Sequence, residues 1–177
     1  MQEVKRSLRK RLIGERKAMD TKVRASADES IFQQLIPLLE EADIVLTYVS
    51  TDIEVDTRCL LQFCFDNDIK VGVPVSGDTE LEFYRIHSFS ELENGRYGIL
   101  EPVDRAEAIT VSDRSVCIVP ALCADGNGYR LGYGKGYYDR FLSRFPGKSV
   151  IICYSDHKMT VPTETHDKKA DLTIFDK

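Results

Sequence analysis

Seven consecutive apolar residues, Val116-Cys117-Ile118-Val119-Pro120-Ala121-Leu122, constrain this chain more than any other feature. A strand with one wet face alternates apolar and polar side chains, whereas an unbroken apolar run suits a strand covered on both faces. Val150-Ile151-Ile152-Cys153-Tyr154 repeats the pattern, and Ile44-Val45-Leu46-Thr47-Tyr48-Val49 comes close to it. Helical spacings lie between these runs. Residues 2–19 place Val4, Leu8 and Leu12 at i, i+4 and i+8, an apolar stripe followed by Asp20-Thr21 as break and cap. Residues 22–41 gather Ile31, Leu35, Leu38 and Leu39 on one face, residues 56–67 group Leu60, Leu61, Cys64 and Phe65, and residues 135–145 read as a further helix. Val71-Gly72-Val73-Pro74-Val75 is a second strand, residues 81–86 an alternating third, and Leu172-Thr173-Ile174 a last short one. Strands alternating with helices predict an α/β fold with a mostly parallel sheet and helices on both faces. No linker, repeat or low-complexity run divides the 177 residues, so a single domain over 1–177 is expected. In such sheets ligands bind beyond the carboxyl ends of the strands, which directs attention to the loops after residues 49, 75 and 122.

Charge is unevenly spread. Residues 1–24 hold nine Lys/Arg and three acids, a net of +6, and the remaining 15 basic and 26 acidic residues carry −11. A basic first helix on an acidic body suggests an anion handled at the N-terminus, and the −11 opposes a nucleic-acid binder. Lys5 and Arg9 stand one helical turn apart and point the same way, flanking the stripe at the rim of the body. Either they meet an anion or they belong to a solvated basic face. No run of about 20 apolar residues could span a membrane. The opening residues lack the apolar centre of a secretory signal, and Glu3 and Glu15 oppose a transit peptide. The five cysteines (Cys59, Cys64, Cys117, Cys123, Cys153) show no C-x-x-C spacing, so reduced, partly buried thiols in a cytoplasmic protein are expected. His87, His157 and His166 match no metal spacing.

The segment richest in chemistry is 119–142, read as strand, turn, glycine-rich loop and helix. Gly132, Gly134 and Gly136 alternate around Tyr133 and Lys135. Glycines let a backbone approach a ligand closely, and free N–H groups before a helix suit a polyphosphate, with Lys135 adding a point charge. The spacing is neither a Walker A loop nor a dinucleotide fingerprint, so a tight turn stands beside phosphate binding as a reading. Asp139, in the first helical turn, is either a dipole stabiliser or a Mg²⁺ ligand beside phosphates. Glu54 and Asp56 follow the first strand. Asp56 or Thr57 is placed to cap the next helix, and an acid facing the site could hold a donor-rich heterocycle.

Together these pieces resemble the 5-formyltetrahydrofolate cyclo-ligase family, also called 5,10-methenyltetrahydrofolate synthetase. The resemblance spans nearly the whole chain. It rests on Lys5-Arg6-Ser7-Leu8-Arg9, Glu54-Val55-Asp56-Thr57, Gly98-Ile99-Leu100-Glu101-Pro102, Ala170-Asp171-Leu172 and, most specifically, Arg130-Leu131-Gly132-Tyr133-Gly134-Lys135-Gly136-Tyr137-Tyr138-Asp139. It implies a three-layer Rossmann-like α/β sheet and an ATP- and Mg²⁺-dependent cyclisation. In that reaction the N5-formyl oxygen of 5-formyltetrahydrofolate attacks the γ-phosphate, N10 attacks the iminium phosphate, and phosphate leaves. Carried over by residue, Lys5 and Arg9 match ATP-phosphate contacts. Arg130, Leu131, Gly132, Tyr133, Gly134, Lys135, Gly136, Tyr137 and Tyr138 match the nucleotide loop, and Tyr133 to Tyr137 also touch folate. Val49 and Glu54 match folate contacts, and Asp139 and Asp171 match magnesium positions. Lys135, Tyr137 and Asp139 are the expected catalytic groups.

The chain departs from the family pattern at Ala121 (commonly Gly), Leu100 (commonly Pro) and His157 (frequently Gln). None of these removes a charge from the site, so activity is expected to survive. The other readings are an inactive folate- or nucleotide-binding module and a sugar-phosphate isomerase on a similar sheet. No nucleic-acid or membrane partner is expected, and the active species is expected to be a monomer or a homodimer.

Overall fold

The computed structural model describes residues 1–95, 98–105, 107 and 109–177. Two long helices, α1 (Gln2–Ala18) and α2 (Thr21–Glu40), lead into β1 (Val45–Leu46), α3 (Arg58–Asp66), β2 (Val71–Ser76) and β3 (Leu81–Ile86). Next come β4 (Leu92–Asn94), β5 (Leu100–Pro102), β6 (Val116–Pro120), β7 (Cys123–Ala124) and β8 (Arg130–Leu131). Helix α4 (Tyr137–Leu142), β9 (Lys148–Cys153) and β10 (Leu172–Phe175) complete the chain. The main sheet has the order β10-β9-β6-β1-β2-β3 and is parallel except for β3, which returns antiparallel to β2 with Val71 opposite Ile86. The small hairpins β4–β5 and β7–β8 were not expected from the sequence, because each strand has only two or three residues and no clear periodicity.

The apolar runs do what their composition requires. In β6, Val116 and Ile118 face one side of the sheet while Cys117 and Val119 face the other. In β9, Val150 and Ile152 share the first side, and Ile151 and Cys153 the second. Helices α2 and α3 cover the first side with Ile31, Leu35, Leu39, Leu60, Leu61 and Cys64. Phe141 of α4 covers the second side, with Phe83, Phe145 and Ile109 around it. Gly72 matters here, because a Cβ would come within 2.2 Å of Ile109 Cδ1 and block that side chain's seat against the sheet. The three-layer α/β architecture with a mostly parallel sheet is therefore as expected.

Asp20 caps α2 by accepting from the amides of Lys22 and Val23 at 2.9 and 3.1 Å, an arrangement worth about 1 kcal/mol. Helix α2 continues through Pro37, whose ring faces solvent one turn from the helix end, so the missing donor disturbs little.

Two local expectations fail. The first strand is only Val45–Leu46, because beyond the Thr47 amide, which still donates to the Gly72 carbonyl, the backbone bonds to a loop side chain instead of a ladder. Thr57 Oγ1 donates to the Tyr48 carbonyl at 2.7 Å and accepts from the Ser50 amide at 3.1 Å. The α1 stripe is also rotated. Val4 is 58% exposed, and the buried face is built from Lys5, Leu12 and Arg16, with Leu8 partly buried. Polar side chains take an inward face here because they find partners there: Lys5 meets Glu164 and Asp167 at the cleft, and Arg16 meets the carbonyls of Ile53, Ala121 and Leu122. All five cysteines are free thiols, and all but Cys59 are buried. Among the described residues no helix is long and apolar enough to cross a membrane.

Candidate active site

The carboxyl ends of β1, β2 and β6 open into a cleft of about 450 Å³, a size suited to a small-molecule ligand. One wall is built for negative charge. Lys5 and Arg9 enter from α1, and residues 130–139 run along the side. Arg9 Nε donates to the Gly132 carbonyl at 2.8 Å, which lays the guanidinium across the loop. Gly134 makes this possible: its φ is +98°, and a Cβ there would approach Arg9 Cζ to 2.9 Å. Gly136, at φ +69°, starts α4. Two bonds fasten the loop and α4 to the turn after β2: Tyr137 Oη donates to the Gly77 carbonyl at 2.9 Å, and Arg140 Nε to the Thr79 carbonyl at 2.7 Å. Lys135 lies exposed on the cleft wall.

Lys5 is not the rim residue that its sequence position suggested. It is buried, and its Nζ lies 2.7 Å from Asp167 Oδ2 and 2.9 Å from Glu164 Oε2. Desolvation alone would lower its pKa, but the hydrogen bonds and charges of Asp167 and Glu164 outweigh that and raise it. The mirror effect acts on Asp167: burial would raise its pKa, and the bond from Lys5, the Glu164 amide and the lysine charge bring it below the ordinary carboxylate value. An ammonium has three donors, and two carboxylates leave one for a ligand. Glu164 and Asp167 sit in a polar loop that reads as solvated surface, so nothing local in the sequence marked them as cleft residues.

The opposite wall sets one carboxylate among apolar and aromatic side chains. Val49 and Glu54 line it, with Tyr48, Thr51, Pro74 and Leu81 around them. Glu54 Oε2 accepts from Thr51 N at 2.8 Å and Thr51 Oγ1 at 2.9 Å, which fixes the carboxylate in a tight turn and leaves Oε1 for other donors. Tyr133 reaches across from the glycine loop. Burial of its hydroxyl, the Glu54 charge and a hydrogen bond to that carboxylate push its pKa up, although the residue as a whole stays 42% exposed. Tyr48 is buried beneath, donating to the Val55 carbonyl at 3.0 Å. Glu101, on β5, also lines the cleft and is held by Arg105 Nη2 at 3.1 Å. Leu131 is buried behind the loop. Tyr138 lines the cleft with a buried, unpartnered hydroxyl that burial holds protonated.

Of the two carboxylates expected to hold magnesium, Asp139 lines the cleft and Asp171 does not. Asp139 lines the cleft, and its Oδ1 lies 3.3 Å from Arg130 Nη2 and accepts from the Lys168 amide at 3.0 Å. Asp171 does not line the cleft. Its Oδ2 accepts from Ser149 N at 2.8 Å and Ser149 Oγ at 2.7 Å, where β10 begins beside β9. Among the described residues no group of three or more His, Cys, Asp or Glu side chains is placed to hold a metal ion. Mg²⁺ needs only one or two protein carboxylates beside phosphates, so the donor set fits an ion carried by a nucleotide with Asp139 as its protein ligand. Of the histidines, His166 lines the cleft, while His157 is buried with Nε2 3.5 Å from Glu15 Oε2. Burial and the Arg16 charge lower the His157 pKa. The expected cap of α3 is divided between two residues: Thr57 occupies the capping position, while Asp56 Oδ1 accepts from the Arg58 amide at 2.9 Å.

Known proteins similar to this chain carry names that agree with one another. A probable 5-formyltetrahydrofolate cyclo-ligase of Schizosaccharomyces pombe is 31% identical over 140 residues, 68% of each chain. The 5-formyltetrahydrofolate cyclo-ligase of Haemophilus influenzae is 28% identical over 160 residues, 85% of this chain and 83% of its own. The solution structure of Aquifex aeolicus 5,10-methenyltetrahydrofolate synthetase superposes with a TM-score of 0.83 at 30% identity, covering 97% of this chain and 89% of that one. The Mycoplasma pneumoniae synthetase gives a TM-score of 0.73 at 26% identity, covering 96% and 97%. The family model described as 5-formyltetrahydrofolate cyclo-ligase matches residues 1–175. The chain belongs to the 5-formyltetrahydrofolate cyclo-ligase family.

Proposed function

We propose that the chain catalyses the ATP-dependent cyclisation of 5-formyltetrahydrofolate to 5,10-methenyltetrahydrofolate, releasing ADP and phosphate. What carries this reading is one cleft with two unlike walls: Lys5, Arg9 and a glycine loop on one side, and Glu54 with Val49 and tyrosines on the other. Triphosphate suits the first wall and a pterin ring the second, so the γ-phosphate and the formyl group meet between them.

The N5-formyl oxygen attacks the γ-phosphorus, and the P–O bond to ADP breaks. N10 then attacks the activated formyl carbon, its proton is lost, and the C–O bond to phosphate breaks as the five-membered ring closes. No protein nucleophile is needed. Positioning and charge neutralisation supply the acceleration, as in phosphoryl transfer generally. Lys5, through its remaining donor, and Arg9 hold phosphate oxygens. The amides of residues 132–136 and Lys135 neutralise charge developing on the transferred group. Tyr133 and Tyr137 offer flat surface to the ring system, and Glu54 Oε1 accepts from ring donors. Mg²⁺ would arrive on the nucleotide, be held by Asp139 and draw electron density from the phosphate oxygens.

Its five free thiols support a reading as a cytoplasmic protein, acting on a small molecule as a monomer or homodimer and not on nucleic acid. The test is purified protein with 5-formyltetrahydrofolate and each nucleotide alone, then together. Product formation only with ATP supports the reading. Equal conversion without ATP refutes it.

A further inference from the structure

Arg16 is the most deeply buried charged side chain of the described residues, at 1% exposure. Its partners are carbonyls, a sulfur and a ring, with no carboxylate among them. Nη1 donates to the Ile53 carbonyl at 3.1 Å, and Nη2 to the carbonyls of Ala121 at 2.6 Å and Leu122 at 2.9 Å. Cys153 Sγ lies 3.6 Å from Nη2, the Tyr154 ring centre lies 5.1 Å from the guanidinium carbon, and Nε has no partner. Burying a charge without a counter-ion is costly, and for stability alone an apolar side chain serves as well.

The two arms of the guanidinium go to different loops. Nη1 holds the turn after β1 one residue before Glu54. Nη2 holds the turn after β6, from which the chain runs into the β7–β8 hairpin and the glycine loop, with Leu122 N bonded to the Leu131 carbonyl at 2.8 Å. Arg16 itself lies on α1, two turns along the inward face from Arg9 and three from Lys5. One planar fork thus joins the three segments that carry the cleft's two walls. We infer that Arg16 is a positioning residue that sets the distance between Glu54 and the glycine loop, and so governs placement of the ring-bearing substrate against the phosphate. The inference rests on the cyclisation proposed above.

A lysine keeps the charge but cannot span both loops, because it lacks the rigid fork. Misplacing one wall by about 1 Å is enough to cost on the order of 100-fold in turnover. The experiment compares wild type with R16K and R16Q by circular dichroism, active-site titration and steady-state kinetics with both substrates varied. Per active site, R16K is expected to lose about 10- to 100-fold in kcat and to raise KM for 5-formyltetrahydrofolate about fivefold, with KM for ATP within about twofold because Lys5 and Arg9 keep their own bonds. R16Q should show the same split, more strongly.

A variant with fewer active sites but wild-type constants per site overturns the inference, since Arg16 would then serve only the fold. Failure of both variants to fold overturns it for the same reason. A parallel rise in both KM values also contradicts it. Wild-type protein without turnover defeats the cyclisation itself and this inference with it, whereas a turning-over wild type beside an unchanged R16K defeats the Arg16 role alone.

Discussion

The two walls of the cleft are held by different physics. On the phosphate wall, Lys5 is gripped by two carboxylates, Arg130 by Asp139, and Arg9 by a carbonyl of a loop that two glycines bend into positive φ. On the ring wall, Glu54 is fixed by a threonine turn, and Tyr48, Thr57 and Arg16 bind buried carbonyls. Charge pairs at a cleft can exchange one anion for another, so the first wall can accept phosphate by sharing or replacing its carboxylates. Buried hydrogen bonds to the backbone cannot be exchanged without leaving polar groups unpaired. The first wall is therefore built to adapt and the second to hold its shape.

The largest break in this contrast should come from Asp139→Asn, which removes the cleft carboxylate proposed to hold a nucleotide-borne ion. Turnover should fall by about 100-fold or more with the far-ultraviolet spectrum unchanged; wild-type turnover in this variant would refute the metal role. Lys5→Ala with Arg9→Ala should raise KM for ATP about 10- to 100-fold while KM for 5-formyltetrahydrofolate changes little, a net loss for the pair of roughly 1.5–3 kcal/mol of charge-assisted contact. Unchanged ATP kinetics would make the first helix structural only.

Glu54→Gln should do the converse, raising KM for the folate about tenfold and leaving ATP nearly untouched. If both constants rise together, the walls are not separate. Asp171→Asn should keep turnover within about threefold and cost about 1 kcal/mol in urea unfolding, because its carboxylate bonds to Ser149 rather than facing the cleft. A loss of turnover as deep as that of Asp139→Asn would return Asp171 to the metal.

The smallest effect is on stability against pH. Asp167 has a lowered pKa, so the stability from its pair with Lys5 is present above the unfolded aspartate value, about 4, and is lost as pH falls through the lower folded value. Lys5 has a raised pKa, so at the alkaline end the same stability is lost only as pH rises through that raised value. Wild type should therefore lose more stability than Asp167→Asn between pH 5 and pH 2 in urea titrations. Parallel curves would mean that the pair contributes nothing.

The fold was legible in the sequence where burial is two-sided. Residues 116–122 and 150–154 could be little else than inner strands, and β6 and β9 are inner strands. The antiparallel β3 and the small hairpins escaped, because strand direction and two-residue ladders leave no periodic trace. The glycine loop was legible because its spacing is local. Arg16, Glu164 and Asp167 were not, because a charged residue in a basic helix or a polar loop looks solvated until the fold buries it. Val4 shows the converse: an apolar residue at the right spacing that faces water because Lys5, beside it, takes the inward position.

The account depends most on the two walls acting on one substrate pair. Purified protein mixed with 5-formyltetrahydrofolate and Mg-ATP, followed by the near-ultraviolet absorbance of the methenyl product, tests this directly. The account predicts a rise that requires ATP and stops on adding chelator. No rise, in a protein that either substrate still protects against thermal unfolding, would contradict it and leave a binding module without turnover.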